Sequence, residues 1–203
     1  MVAFALTRAP GMLPQNFSAA YAIAFCAGVF FPRRMAWWVP LGTLLVTDLA
    51  LNCYYQFHLG FKVFTVEGFL ELGGNYVCYA ALIWLGKKFS PKASFVSLLG
   101  GGILGAIIFY FVTNTISWLV NPFHNPEYTK TLAGWIWALT KGTGGWPETW
   151  TFFRNTLLSG GLFTGLFAGA MKLNEASKEA EEKEEAEEPE GEPEPESEPS
   201  PAK

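Results

Sequence analysis

Asp48, Glu71, Asn75, Asn114 and Arg154 are the side chains best suited to bind a charged or polar solute, and each lies within or at the edge of an apolar segment. Ionisable groups at membrane depth cost about 2.5 to 3.5 kcal/mol at the centre on insertion scales, and by default they mark a pathway or a binding site. Their spacing places them on helical faces. Asn52 and Tyr55 follow Asp48 on one face; Glu67, Glu71, Asn75 and Tyr79 recur every four residues; Asn114, Ser117, Trp118 and Asn121 follow the i, i+3, i+4, i+7 pattern. Arg154 and Asn155 come early in the last apolar segment. In a binding role Asp48 and Glu71 would attract a cation or accept hydrogen bonds, and Arg154 would hold a carboxylate or pair with an acid. Asn75 and Asn114 would orient the solute, and Trp118, Trp135 or Trp137 would stack on it. The competing role is structural: Asp48 or Glu71 pairs with Arg154 to lock the bundle, while Asn amides bond across helices.

The elements that must position these groups are predicted to be membrane helices. Residues 95–120 contain no Asp, Glu, Lys, Arg or His, and a helix of that length reaches about 39 Å against a hydrocarbon core of about 30 Å. Four further full spans are expected at residues 16–31, 36–54, 66–85 and 149–173, with a short Trp-rich interfacial helix or lid at 132–139. Arg33 and Arg34, then Lys87, Lys88 and Lys92, and finally Lys172 fall on one side of this topology, which the positive-inside rule makes cytoplasmic. The polar groups of the separate spans then share one depth, in the outer half of the bilayer, around a pocket open to the outside. Within 16–31, Ala20, Ala24 and Gly28 form a ridge of small residues that lets another helix approach closely, either inside the bundle or as a docking face; Gly161, Gly165 and Gly169 form another.

Composition divides the chain of 203 residues in two. Residues 174–203 hold thirteen Glu against three Lys, a net of −10, whereas residues 1–173 hold five acids against eleven bases, a net of +6, together −4. The expected organisation is a transmembrane helix bundle over 1–173 and an acidic, Glu/Pro-rich, disordered cytoplasmic tail over 174–203, with a short solvated helix favoured at 178–186. Cys26, Cys53 and Cys78 lie in or at the ends of apolar segments and read as small hydrophobes. His58 and His124 lack a metal-ligand spacing, and Lys141-Gly142-Thr143-Gly144-Gly145 lacks the order of a phosphate loop and reads as a turn. No nucleophile and base pair stands out, so neither an enzyme nor a cofactor or metal site is expected, and no nucleic-acid partner.

Asn16-Phe17-Ser18, the segment from Pro40 to Asp48, Thr113-Asn114 through Trp118, Tyr128 to Gly134 and Phe153-Arg154-Asn155-Thr156-Leu157 resemble a bacterial membrane family of unknown function, DUF6580, whose members are labelled as transport proteins. That family looks like the substrate-binding S components of energy-coupling factor (ECF) transporters. The resemblance implies a six-helix membrane protein of the bacterial inner membrane that captures a vitamin or ion outside and docks, through small residues of its first helices, on a transmembrane coupling subunit with two ATPases. It would assign Ala20, Ala24 and Gly28 to docking, if exposed, and the outer polar groups to substrate capture. Two departures stand out: only residues 1–7 could represent a first helix, giving five full spans and a truncated sixth, and Ser159-Gly160-Gly161 stands where family members carry an acid. The expectation is therefore an all-α, S-component-like bundle embedded in lipid, which binds a small polar solute through Asp48, Asn52, Glu71, Asn75, Asn114, Trp118, Arg154 and Asn155.

Overall fold

Helix α1, Ala20–Phe30, is the hub of the fold, with nine of its eleven residues buried. A helix that is apolar on all sides belongs in a core. The Ser18 hydroxyl accepts from the Ala20 N–H at 3.2 Å at its start, and Pro32 forces the preceding Phe31 into the extended region (φ −89°, ψ 145°), which ends it. The computed structural model describes residues 7–8, 11–122 and 124–187. Among these residues the protein is all-helical, with six helices and no strand: α1, α2 (Met35–Phe57), α3 (Val66–Gly86), α4 (Phe95–Val120), α5 (Leu132–Thr140) and α6 (Thr149–Glu187). The suggested remnant of a first helix, residues 1–7, lies almost wholly outside the described residues.

The starts of α3, α4 and α5 are capped by hydroxyls, as Thr65, Ser94 and Thr131 accept from the N–H groups of Gly68, Ser97 and Gly134. Helix α4 stops at Asn121, whose left-handed backbone (φ 47°) closes a C-terminal turn. Its amide then donates to the Asn125 carbonyl and accepts from the Asn125 N–H, which folds the chain back toward α5.

Helix α1 packs against α2, α3 and α4. Its ridge of small residues is closed within the chain: Ala20 and Ala24 are fully buried, and Gly28 meets Gly86 of α3 so closely that a Cβ on either would strike the other helix's backbone. Ala20, Ala24 and Gly28 are therefore a packing surface and not an exposed docking face, because an α1 surrounded by three helices has no free side to offer. The second ridge lies on α4: Gly161 sits over Ile103, Gly165 over Phe95 and Leu99, and Gly169 over Phe95.

Two compact units are distinguished, residues 1–169 and 170–203. The second continues α6 as helix to Glu187, with Lys172 paired to Glu175 at 3.3 Å. The helix includes the segment 178–186 where a short solvated helix is expected, and it also takes in residues 174–177 and Glu187. Ala, Glu and Lys over 175–187 are good helix formers and no proline intervenes before Pro189. Residues beyond 187 lie outside the described residues.

Two helices are long and apolar enough to cross a membrane, Phe95–Val120 with mean hydropathy 2.2 and Thr149–Lys183 with 1.2. Five such spans were expected. The difference has a physical origin: α1 has eleven residues, about 17 Å of helix, and the mean hydropathy of α2 and α3 is reduced by their own polar stripes, Asp48 and Asn52 on one and Glu67, Glu71 and Asn75 on the other.

Candidate functional site

The polar stripe of α3 supplies one wall of a cavity of about 530 Å³. Glu71, Asn75 and Tyr79, one turn apart, line it. Phe109, Thr113, Asn114 and Ser117 of α4 line it from another side, Leu51 and Tyr55 from α2, and Tyr21 from the start of α1. The N-terminal segment, including Arg8 and residues 13–18, closes it together with Tyr128, Trp146, Pro147 and the first turn of α6.

Hydrogen bonds hold these walls. The Ser117 hydroxyl donates to Glu71 Oε1. Asn114 donates one amide N–H to the Tyr110 carbonyl at 2.8 Å, one turn back in α4, which leaves its second N–H and its amide oxygen for the cavity. The rings of Tyr21 and Tyr79 lie 4.6 and 4.9 Å from that of Phe109, giving a continuous aromatic surface. At the rim, Lys141 and Trp150 both donate to the Glu148 carboxylate, at 2.7 and 2.6 Å, and these bonds hold its pKa below the usual carboxylate range.

Asn155 and Tyr21 fasten the N-terminal wall. Asn155 donates to the Gln15 carbonyl at 2.9 Å and the Tyr21 hydroxyl donates to the Asn16 carbonyl at 3.0 Å. Asn155→Ala is expected to cost about 0.5 to 1.5 kcal/mol, the usual net worth of a part-buried hydrogen bond. Hydrogen–deuterium exchange should rise selectively over residues 15–18; unchanged exchange there would show that the wall is held by other contacts.

Of the residues expected to bind, the structure brings Glu71, Asn75 and Asn114 together at the cavity and turns the others to different partners. Asp48 is buried, ion-paired with Arg8 and accepting from the Tyr76 hydroxyl at 3.0 Å, and it does not line the cavity. Asn52 is half-buried outside it, one position beyond the lining Leu51. The Trp118 indole donates to the Thr129 carbonyl at 2.7 Å and carries the Lys130 ammonium over its ring, while Lys130 caps α4 by donating to the carbonyls of Trp118 and Leu119. Trp118 is thus an anchor for the end of α4. Trp135 and Trp137 donate to Thr115 and to the Gly142 carbonyl, and the tryptophan at the cavity is Trp146. Arg154 is exposed, and the pairing with an acid expected of it belongs to Arg8.

Arg8, Tyr21 and Tyr128 are among the lining residues to which the spacing of polar groups in the apolar segments did not point. Arg8 had a signal, as the lone charge in residues 1–32. Tyr128 and Trp146 sit in connections, where helical spacing says nothing. No group of three potential metal ligands occurs among the described residues.

Comparison with curated proteins and with solved structures gave no match. The model of the family of unknown function DUF6580 matches residues 1–183, a stretch that contains the whole cavity, and the chain belongs to that family.

Proposed function

We propose that this protein is an integral membrane component that binds a small polar solute from the outer side of the bacterial inner membrane and passes it to a coupling partner for uptake. The observation that carries the reading is a polar-lined cavity inside a helix bundle whose outer surface is apolar. Trp38, Leu45, Val46 and Leu49 of α2, Val77 and Trp84 of α3, Leu104 and Leu119 of α4 and Leu158, Leu162 and Leu166 of α6 are all exposed. Exposed apolar area on this scale suits lipid better than water. Helices α2 and α3, with 23 and 21 residues, extend about 32 to 35 Å and are long enough to span alongside α4 and α6, with α1 buried among them. Their inward polar stripes then account for their modest hydropathy.

The register of the helices supports an orientation. Arg33, Arg34, Lys87, Lys88 and Lys92 occupy the turns between α1 and α2 and between α3 and α4, and the Lys87 ammonium reaches the Arg33 carbonyl at 3.5 Å. Lys87 and Lys88 lie over the rings of Trp37 and Trp84, aromatic residues of the kind that favour an interface. Cavity residues come from the opposite ends of α1, α2, α3 and α4, so a cytoplasmic basic end gives an outward-opening cavity and a cytoplasmic C-terminus. The energy for uptake is assigned to a separate subunit with ATPases, in keeping with the resemblance to ECF S components; with the α1 ridge closed, such a subunit would dock elsewhere. The helix-locking role is favoured for Asp48, whose partners are both internal.

Purification in detergent from the native host, followed by native mass spectrometry, tests the binding role. A small molecule at one per chain is expected in the wild type and its loss in Thr113→Trp, which fills the cavity from α4. Equal retention by both proteins would remove the cavity from the reading.

A further inference from the structure

One charged group of the cavity wall, Glu71, has no ionic partner among the described residues. Arg8 and Glu71 are the charged residues among those lining the cavity. Arg8 is already ion-paired with Asp48. Glu71 has the Ser117 hydroxyl on Oε1, a neutral partner that leaves the charge in place, and it takes part in none of the three salt bridges among the described residues. Its Oε2 accepts from no protein group among the described residues. Beside it, Asn114 offers its amide oxygen and its second N–H, and Tyr21, Tyr79 and Phe109 line the same cavity as a group of touching aromatic rings, whose faces carry the negative end of the ring quadrupole. A carboxylate beside aromatic faces attracts an organic cation by charge and by cation–π contact together. A bare divalent metal ion fits poorly, since one carboxylate falls short of the six to eight oxygens that calcium takes, and no cluster of three ligands is present among the described residues.

We infer that the solute is a small organic monocation with a planar or aromatic body, its protonated nitrogen on Glu71 Oε2 and its body against Tyr79 and Phe109. This deepens the proposed binding role and rests on it. A cavity of about 530 Å³ lies within the range of small-molecule sites.

The test uses the full chain in detergent and a matched panel of probes: benzylammonium and benzamidinium as cations, benzamide and benzyl alcohol as neutral analogues, benzoate as the anion. Binding is read by ligand-observed NMR and thermal stabilisation. The cations are expected to bind in preference to the others, with affinity falling about ten- to a hundredfold in Glu71→Gln, which keeps the shape and the acceptor for Ser117. Glu67→Gln, one turn away and outside the cavity, should leave cation binding unchanged. Binding of benzoate or benzamide as tight as that of the cations, or an unaltered cation affinity in Glu71→Gln, would overturn the charge assignment and leave the solute-binding role standing. If no probe of any charge binds and the native-host preparation carries no small molecule, both fall.

Discussion

Replacing Asp48 by Asn is expected to destabilise the protein by about 3 to 5 kcal/mol, the usual cost of leaving one half of a buried ion pair uncompensated. The side chains of Arg8 and Asp48 are 13% and 10% exposed, so solvent screens the pair little. Asn would retain an acceptor for Tyr76, which bonds Asp48 Oδ2, but it would remove the ionic partner of the guanidinium, whose Nε is buried and has no hydrogen-bond partner among the described residues. Arg8→Met should cost a similar amount by stranding the carboxylate instead. The double variant Arg8→Met with Asp48→Leu removes both charges and is expected to regain most of the loss, since buried pairs are often replaceable by apolar groups of similar volume. Any weakening of solute binding in Asp48→Asn would come through the freed Arg8 charge at the cavity wall, and the double variant should reverse that too. Reversible unfolding in mixed micelles measures all three. Single variants within about 1 kcal/mol of wild type would mean that the pair contributes no more than an exposed one.

Gly28→Leu and Gly86→Leu are expected to be the most damaging substitutions among the glycines, at or above about 3 kcal/mol. At these positions α1 and α3 meet backbone to backbone, and a Cβ on Gly28 would run into the Ile83 carbonyl, one on Gly86 into the Phe25 carbonyl. Atoms of a packed helix backbone cannot move aside as a side-chain tip can, so the whole of α1 would have to shift, and with it Tyr21 at the cavity. Gly42, Gly73 and Gly100 provide the contrast. Each lies in a helix with nothing within 4 Å of a Cβ, so Ala there should stabilise by about 0.5 to 1 kcal/mol through helix propensity. The same unfolding measurement reads both sets. Equal tolerance at Gly28 and Gly42 would show that the α1–α3 contact relaxes readily.

Much of this architecture was legible locally. Apolar length placed α4, and the four-residue period from Glu71 through Asn75 to Tyr79 marked one face of α3, because residues four apart on one helix must share a face whatever surrounds it. The stripe of Asn114 and Ser117 was legible for the same reason. Its extension to Trp118 fails at the cavity because the end of the helix is held by Lys130 and the Thr129 carbonyl, partners supplied by a connection.

By itself, then, the sequence determined that the chain is helical, where α3, α4 and α5 begin, and which faces of α3 and α4 are polar, since each of these depends on residues a turn or two apart. Tertiary structure alone decided which polar groups meet. Asp48 and Arg154 carry opposite charges in apolar segments, but the partner of Asp48 is Arg8, 40 positions away. Asn155 serves the Gln15 carbonyl, 140 positions away. The Ala20, Ala24 and Gly28 ridge reads the same whether it packs inward or docks a partner, and only the presence of Gly86 across from it settles the choice. Pairings of this kind depend on how rigid helices are brought side by side, and sequence spacing within one helix holds no information about the helix that faces it.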